Sequence, residues 1–165
     1  MSESTALLMA ERLAEALLVS GNKLVTAESC TGGGIGYVLT SIAGSSQWYE
    51  RGFITYSNES KQELLGVSHH TLVSHGAVSE QTAAAMAQGA IDNSHADISV
   101  AVSGVAGPAG GTKDNPVGSV CFGWSERDGE TKTARIVFAG GRQQVREQSI
   151  LMAIQGLLDV LGNRG

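Results

Sequence analysis

Residues 97–104 read "DISVAVSG". Ile98, Val100, Ala101 and Val102 form a nearly continuous apolar run, too short for a helix and closed by Gly104. Such a run suits a strand covered on both faces of its sheet. A doubly covered strand requires helices above and below. The neighbouring sequence supplies them. Upstream, "VSEQTAAAMAQGAIDNS" (78–94) reads as a helix capped by Ser79. Downstream, the glycine-rich loop "GVAGPAGGTKDNPVG" leads to a strand, "SVCFGWSE" (119–126). A turn at Asp128–Gly129 then leads into "TKTARIVFAG", where Ala134, Ile136 and Phe138 alternate. The last helix spans about 142–161 and carries an apolar face of Val145, Ile150, Ile154, Leu157, Leu158 and Leu161.

The first half repeats the alternation. Residues 4–20 place Leu7, Leu8, Leu13, Leu17 and Leu18 near helical spacing, with Gly21 as a stop. "KLVTAE" (23–28) reads as a short strand and "IGYVLTSI" (35–42) as a helix. "GFITYS" (52–57) reads as a second strand, and "NESKQELLG" (58–66) as a helix capped by Asn58 and stopped by Gly66. The polar stretch "SHHTLVSHG" reads as a surface connection. Trp48 and Tyr49 suit either a core or an interface. The order αβαβααβββα predicts an α/β fold. Its form is a three-layer α/β/α sandwich with a mixed sheet, helices on both faces and a closing antiparallel hairpin. A length of 165 residues favours one domain, 1–165, with a core that needs no staples.

Composition narrows the function. Hydrophobic content of 42% with 16% charged residues describes a globular chain. Net charge of −5 offers no basic stripe for nucleic acid. Cys30 and Cys121 make no disulfide framework and no zinc spacing. The first eighteen residues carry Glu3, Glu11, Arg12 and Glu15, unlike a signal peptide, and no stretch approaches a membrane span. The expectation is a cytoplasmic protein without membrane association. The 22 glycines are about twice the roughly 7% usual share, and they cluster in loops.

Three loops follow predicted strands, where open α/β sheets bind ligands. They are "SCTGGG", "YSNESK" and "SGVAGPAGG". The first lacks the lysine of a Walker A loop and the spacing of G-x-G-x-x-G. Two readings of it stand. One is a tight strand-to-helix turn with a capping Ser or Thr. The other is a serine nucleophile, Ser29, ahead of glycines whose N–H groups receive an oxyanion. A serine nucleophile needs a base. His69, His70, His75 and His95 read as solvated, whereas Lys61 sits in the first turn of a helix. There the helix dipole and partial burial disfavour its charge. Tyr56, five residues earlier, could relay a proton or hold the pair in register; each residue also has an ordinary structural reading. Cys30 reads as a packing neighbour of the active atom, and Cys121 as a core residue. Arg142, at a helix start, is either a phosphate ligand or solvent-facing.

Taken together, "TAESCTGG" (26–33), "GSSQWYERGFITYSNESK" (44–61), "HGAVSE" (75–80), "SGVAGPAGG" (103–111) and "PVGSV" (116–120) resemble the CinA C-terminal domain family, in order and across nearly the whole chain. That family includes stand-alone nicotinamide-nucleotide amidases. The resemblance implies hydrolysis of the carboxamide of nicotinamide mononucleotide to nicotinate mononucleotide and ammonia, in pyridine-nucleotide recycling. It implies a serine–lysine mechanism without cofactor or metal, and a homo-oligomer. By motif, Ser29 is the nucleophile, and Lys61 and Tyr56 are the base and its helper. Cys30, Thr31, Gly32, Gly33, Asn58, Ser103, Gly104, Ala106, Gly107 and Arg142 contact substrate. A non-catalytic paralogue that binds a nucleotide or protein, linked to competence or DNA damage, is the alternative. Two-domain relatives carry a further domain similar to molybdopterin-binding proteins; activities of that domain are not expected here.

Overall fold

The computed structural model describes residues 3–162. In chain order the elements are α1 (Glu3–Ser20), β1 (Leu24–Glu28), α2 (Gly34–Thr40), β2 (Tyr49–Ile54), α3 (Asn58–Leu65), α4 (His69–His75), α5 (Glu80–Asp92), β3 (Ile98–Gly104), β4 (Ser119–Glu126), β5 (Thr131–Val137) and α6 (Arg142–Gly162). One 3₁₀ turn, Ser45–Gln47, precedes β2.

The sheet order is β2-β1-β3-β4-β5. Strands β2, β1 and β3 run parallel, whereas β4 and β5 complete the sheet as an antiparallel meander. The apolar run from Ile98 to Val102 lies in β3. It pairs with β1 on one side and β4 on the other, and Ile98 through Ser103 are all buried. Alternation along β1 and β3 feeds two cores. Leu24, Ile98, Val100 and Val102 face Leu13 and Leu17 of α1, Ile35 and Leu39 of α2, and Val145, Ile154 and Leu157 of α6. Val25, Ala27 and Ala101 face Leu65, Leu72, Met86, Ala87 and Ala90 of α3, α4 and α5. Each fully buried leucine or isoleucine contributes about 2 kcal/mol by leaving water. The layers are therefore helix, sheet, helix, as the element order predicted.

Helix α6 lies close against the sheet. The Trp124 indole donates to the Ala153 carbonyl at 3.0 Å and stacks on Phe122 with ring centres 5.6 Å apart. Gly156 sits mid-helix because a Cβ there would fall 2.0 Å from Trp124 Cε2.

The structure moves some predicted boundaries. Residues 69–75 form α4 rather than a plain connection, with Ser68 as its cap and Leu72 buried beneath it. Strand β2 begins at Tyr49 and ends at Ile54, three residues before the predicted end at each boundary. Its start is held by the Tyr49 hydroxyl, 2.7 Å from Thr26 Oγ1, while Trp48 is buried in the core. Its end follows from Ser57, not Asn58, which caps α3 by accepting from the Ser60 N–H at 3.1 Å. Thr55 N–H still donates to the Glu28 carbonyl at 2.8 Å, and the chain then passes through an extended Ser57 into the first turn of α3.

Candidate active site

The parallel strands β2, β1 and β3 bring their carboxyl ends to one edge, and the three glycine- and hydroxyl-rich loops meet there. Ser29 follows the last residue of β1. Lys61 stands in α3, after the turn that ends β2. Ser103 and Gly104 close β3. A cavity of about 300 Å³ opens between them. Ser29, Cys30, Tyr56, Asn58, Lys61, Ser103, Gly104, Ala106, Gly107 and Arg142 all contribute to its wall, joined by Ala77 and Val78 from the segment before α5.

Lys61 is 1% exposed, which is extreme for a lysine. Its Nζ lies 3.1 Å from Ser29 Oγ, 2.9 Å from the Thr55 carbonyl and 3.4 Å from the Tyr56 carbonyl. As an ammonium it donates to all three. As a neutral amine its two N–H bonds satisfy the carbonyls, and the lone pair is left for the Ser29 hydroxyl proton. Burial pushes the Lys61 pKa below its ordinary value, with nearby Cys30 opposing weakly. Burial pushes the Cys30 thiol up to about 11, so Cys30 is held as a thiol beside Ser29.

Tyr56 meets Lys61 through its main-chain carbonyl. Its ring is 61% exposed, and its hydroxyl accepts from Arg142 Nη2 at 3.2 Å. Arg142 Nη1 donates to the Gly107 carbonyl at 2.7 Å. One guanidinium thus spans the mouth of the cavity, from the loop after β2 to the loop after β3. The Ser103 side chain is buried against the cavity. Gly104 has no room for a side chain, since a Cβ there would lie 2.8 Å from the Ser119 carbonyl oxygen.

Thr31, Gly32 and Gly33 do not form the cavity wall. Thr31 is buried, and its hydroxyl donates to Glu28 Oε1 at 2.6 Å. The Gly32 N–H bonds the Ser29 carbonyl at 3.0 Å, closing a turn that requires the positive φ of 59° at Gly32. Glu28 is a residue that sequence reasoning missed. It is 2% exposed and also accepts from the N–H groups of Ile35 at 2.9 Å and Gly36 at 3.1 Å. Its carboxylate therefore caps the first turn of α2 from inside the protein. The one signal was a charge at the end of an otherwise apolar strand. Glu28→Ala leaves two helix N–H groups and a buried hydroxyl unpaired. The expected loss is about 2–4 kcal/mol, read as a lower denaturant midpoint with unchanged slope.

Among the described residues no group of three or more His, Cys, Asp or Glu side chains could hold a metal ion. None of the four histidines lines the cavity. No helix among the described residues is long and apolar enough to cross a membrane.

A mixed α/β sandwich that aims a buried lysine at a strand-end serine has the parts of a hydroxyl-nucleophile site with an amine base. The chain belongs to the CinA C-terminal domain family, which it matches over residues 6–161. It is 47% identical over 157 residues, 95% of each chain, to the nicotinamide-nucleotide amidohydrolase PncC of Escherichia coli K12. The protein of that name from Pseudomonas putida is 44% identical over 152 residues, covering 92% of this chain and 94% of the relative. The crystal structure of a competence/damage-inducible protein from Agrobacterium tumefaciens superposes with a TM-score of 0.93 at 40% identity, covering 99% of this chain and 98% of that one.

Proposed function

We propose that this protein is a nicotinamide-nucleotide amidohydrolase that converts the carboxamide of nicotinamide mononucleotide to the carboxylate, releasing nicotinate mononucleotide and ammonia in pyridine-nucleotide recycling. The observation that carries the mechanism is the 3.1 Å contact between the buried Lys61 Nζ and Ser29 Oγ. The substrate assignment is supported by the names of relatives that align along almost the whole chain.

Neutral Lys61 takes the hydroxyl proton as Ser29 Oγ bonds to the amide carbon. The carbonyl electron pair moves to oxygen. The tetrahedral adduct collapses, the C–N bond breaks, and the departing nitrogen takes the proton from the Lys61 ammonium as ammonia. Water then attacks the Ser29 ester, with Lys61 again accepting a proton. Cleavage of the ester bond returns the proton to Ser29. The Thr55 and Tyr56 carbonyls keep Nζ on line through both halves. Cys30 N–H is not engaged by any main-chain carbonyl among the described residues and adjoins the nucleophile, which makes it a donor for the oxyanion.

Tyr56 and Arg142, joined at the cavity mouth, face the substrate's nucleotide portion, with Arg142 toward the phosphate. Arg142→Ala is expected to raise KM for nicotinamide mononucleotide about 10-fold or more. The same change should alter little for nicotinamide riboside, which lacks the phosphate. Ammonia release from nicotinamide mononucleotide tests the function itself. Steady release from purified protein supports it, and none under conditions where the protein is folded overturns it.

A further inference from the structure

Arg146 lies one turn beyond Arg142 on the same face of α6, yet it does not line the cavity. Its Nε donates to the Cys30 carbonyl at 3.1 Å, and its Nη2 donates to the Thr31 carbonyl at 3.3 Å. These contacts join parts of the chain 116 and 115 residues apart. Among the described residues no carboxylate lies within ion-pair distance of Arg146; the ion pair present joins Arg51 and Glu50. The guanidinium is spent on main-chain oxygens of the loop that carries the nucleophile.

The loop is held from the other side as well. Glu28 takes the Thr31 hydroxyl, so Thr31 is fixed at its side chain by a buried acid and at its carbonyl by a half-buried guanidinium. The Ser29 carbonyl is bound by the Gly32 N–H. Three successive carbonyls, those of Ser29, Cys30 and Thr31, are thereby tied down. In a planar trans peptide the N–H points opposite to the carbonyl it is bonded to. Anchoring the Ser29 and Cys30 carbonyls therefore sets the direction of the Cys30 and Thr31 N–H groups, the donors next to the attacking oxygen. A neutral side chain at position 146 would still fill space, and the Ser29 and Thr31 carbonyls would keep the Gly32 and Gly34 N–H groups at 3.0 and 2.9 Å, but the Cys30 carbonyl would lose its partner and the Cys30–Thr31 peptide plane would be free to turn. Gly32 and Gly33, with positive φ of 59° and 98°, offer little resistance to such a rotation.

Resting on the Ser29 chemistry proposed above, we infer that Arg146 is a positioning residue: by binding the Cys30 and Thr31 carbonyls, it holds the backbone beside Ser29 in the orientation that receives the oxyanion. It touches neither substrate nor reacting atoms. Its substitution should alter the rate of the covalent step and leave ground-state binding in place.

The test compares the intact wild-type protein with Arg146→Ala, Arg146→Gln and Arg146→Lys. The readouts are kcat and KM for nicotinamide mononucleotide, the rate at which a fluorophosphonate modifies Ser29, and the melting curve. In the modification the Oγ–P bond forms, the P–F bond breaks, fluoride leaves and Lys61 takes the proton. For Arg146→Ala and Arg146→Gln, kcat is expected to fall about 10–100-fold while KM stays within about threefold. Ser29 modification should slow by a similar factor, because it too builds charge on an oxygen at the site. Arg146→Lys, which keeps the charge and donor N–H groups but not the planar fork that reaches both carbonyls, should recover part of the rate, and so should added ethylguanidinium with Arg146→Ala. Wild-type kcat and labelling in folded Arg146→Ala would overturn the inference. So would a fall in kcat fully explained by the fraction of unfolded protein. If Arg146→Ala does not fold, Arg146→Lys decides: a reduced kcat at unchanged KM supports the role, and an unchanged kcat overturns it. Labelling needs no nicotinamide substrate. A wrong substrate assignment would show as absent ammonia with labelling intact, and the dependence of labelling on Arg146 would still give the answer.

Discussion

Ser29→Ala is expected to lower ammonia release from nicotinamide mononucleotide by about 10³-fold or more, with KM for any residual activity little changed. In the proposed mechanism the serine makes the covalent bond, so its loss removes the route and not merely a contact. Ser29 is 7% exposed and its hydroxyl meets Lys61, so the alanine variant keeps the loop's shape and should fold. Cys30 will not substitute, because burial holds its thiol protonated with a pKa of about 11. A Ser29→Ala variant that retained a tenth of the wild-type rate would remove the covalent mechanism.

Lys61→Met should be nearly as damaging, at about 10²–10⁴-fold in kcat, because the proton of Ser29 then has no acceptor. A second effect separates the lysine's charge from its shape. The unfolded chain carries Lys61 near its ordinary value of 10.5, while the folded chain holds it lower through burial. Between the folded value and 10.5 the unfolded state binds more protons than the folded state. Stability therefore gains from Lys61 as pH rises through that window and loses as pH falls toward the folded value. Denaturant unfolding of the wild type against Lys61→Met, across pH 7 to about 10.5, should show this slope in the wild type and its absence in the variant. Equal slopes would mean that Lys61 is charged in the folded protein, and so no base.

Much of this was legible from the residues. The apolar run of β3 implied a covered sheet, and the helical faces of α1, α5 and α6 implied the cover. Ser29 and Lys61 could be picked out because both follow strands at the edge where α/β sheets bind ligands. What escaped notice depended on distant contacts. Helix α4 was hidden because its single buried anchor, Leu72, sits among histidines and hydroxyl residues. The end of β2 is hard to read because Thr55 and Tyr56 are good strand formers, yet Ser57 already serves as the cap of α3. The expectation for Tyr56 is a proton relay or a hold on the Ser29–Lys61 pair; its carbonyl lies 3.4 Å from Lys61 Nζ, while its phenol meets Arg142. Glu28 and Arg146 carry no local pattern. The acid's task appears only when α2 begins above it, and the arginine's partners lie more than a hundred residues away.

Near neutral pH a lysine in water is almost wholly an ammonium, so everything rests on its burial against Ser29. The pH dependence of kcat/KM for nicotinamide mononucleotide, measured for the wild type and for Lys61→Met, examines that point directly. The wild type is expected to show a rising limb whose apparent pKa lies below 10.5, since in the proposed mechanism the free enzyme loses a proton from Lys61 before Ser29 attacks. Lys61→Met should lack that limb along with most of the rate. A wild-type profile flat from pH 5 to about 10, or the same limb in Lys61→Met, would contradict a neutral Lys61 as the base.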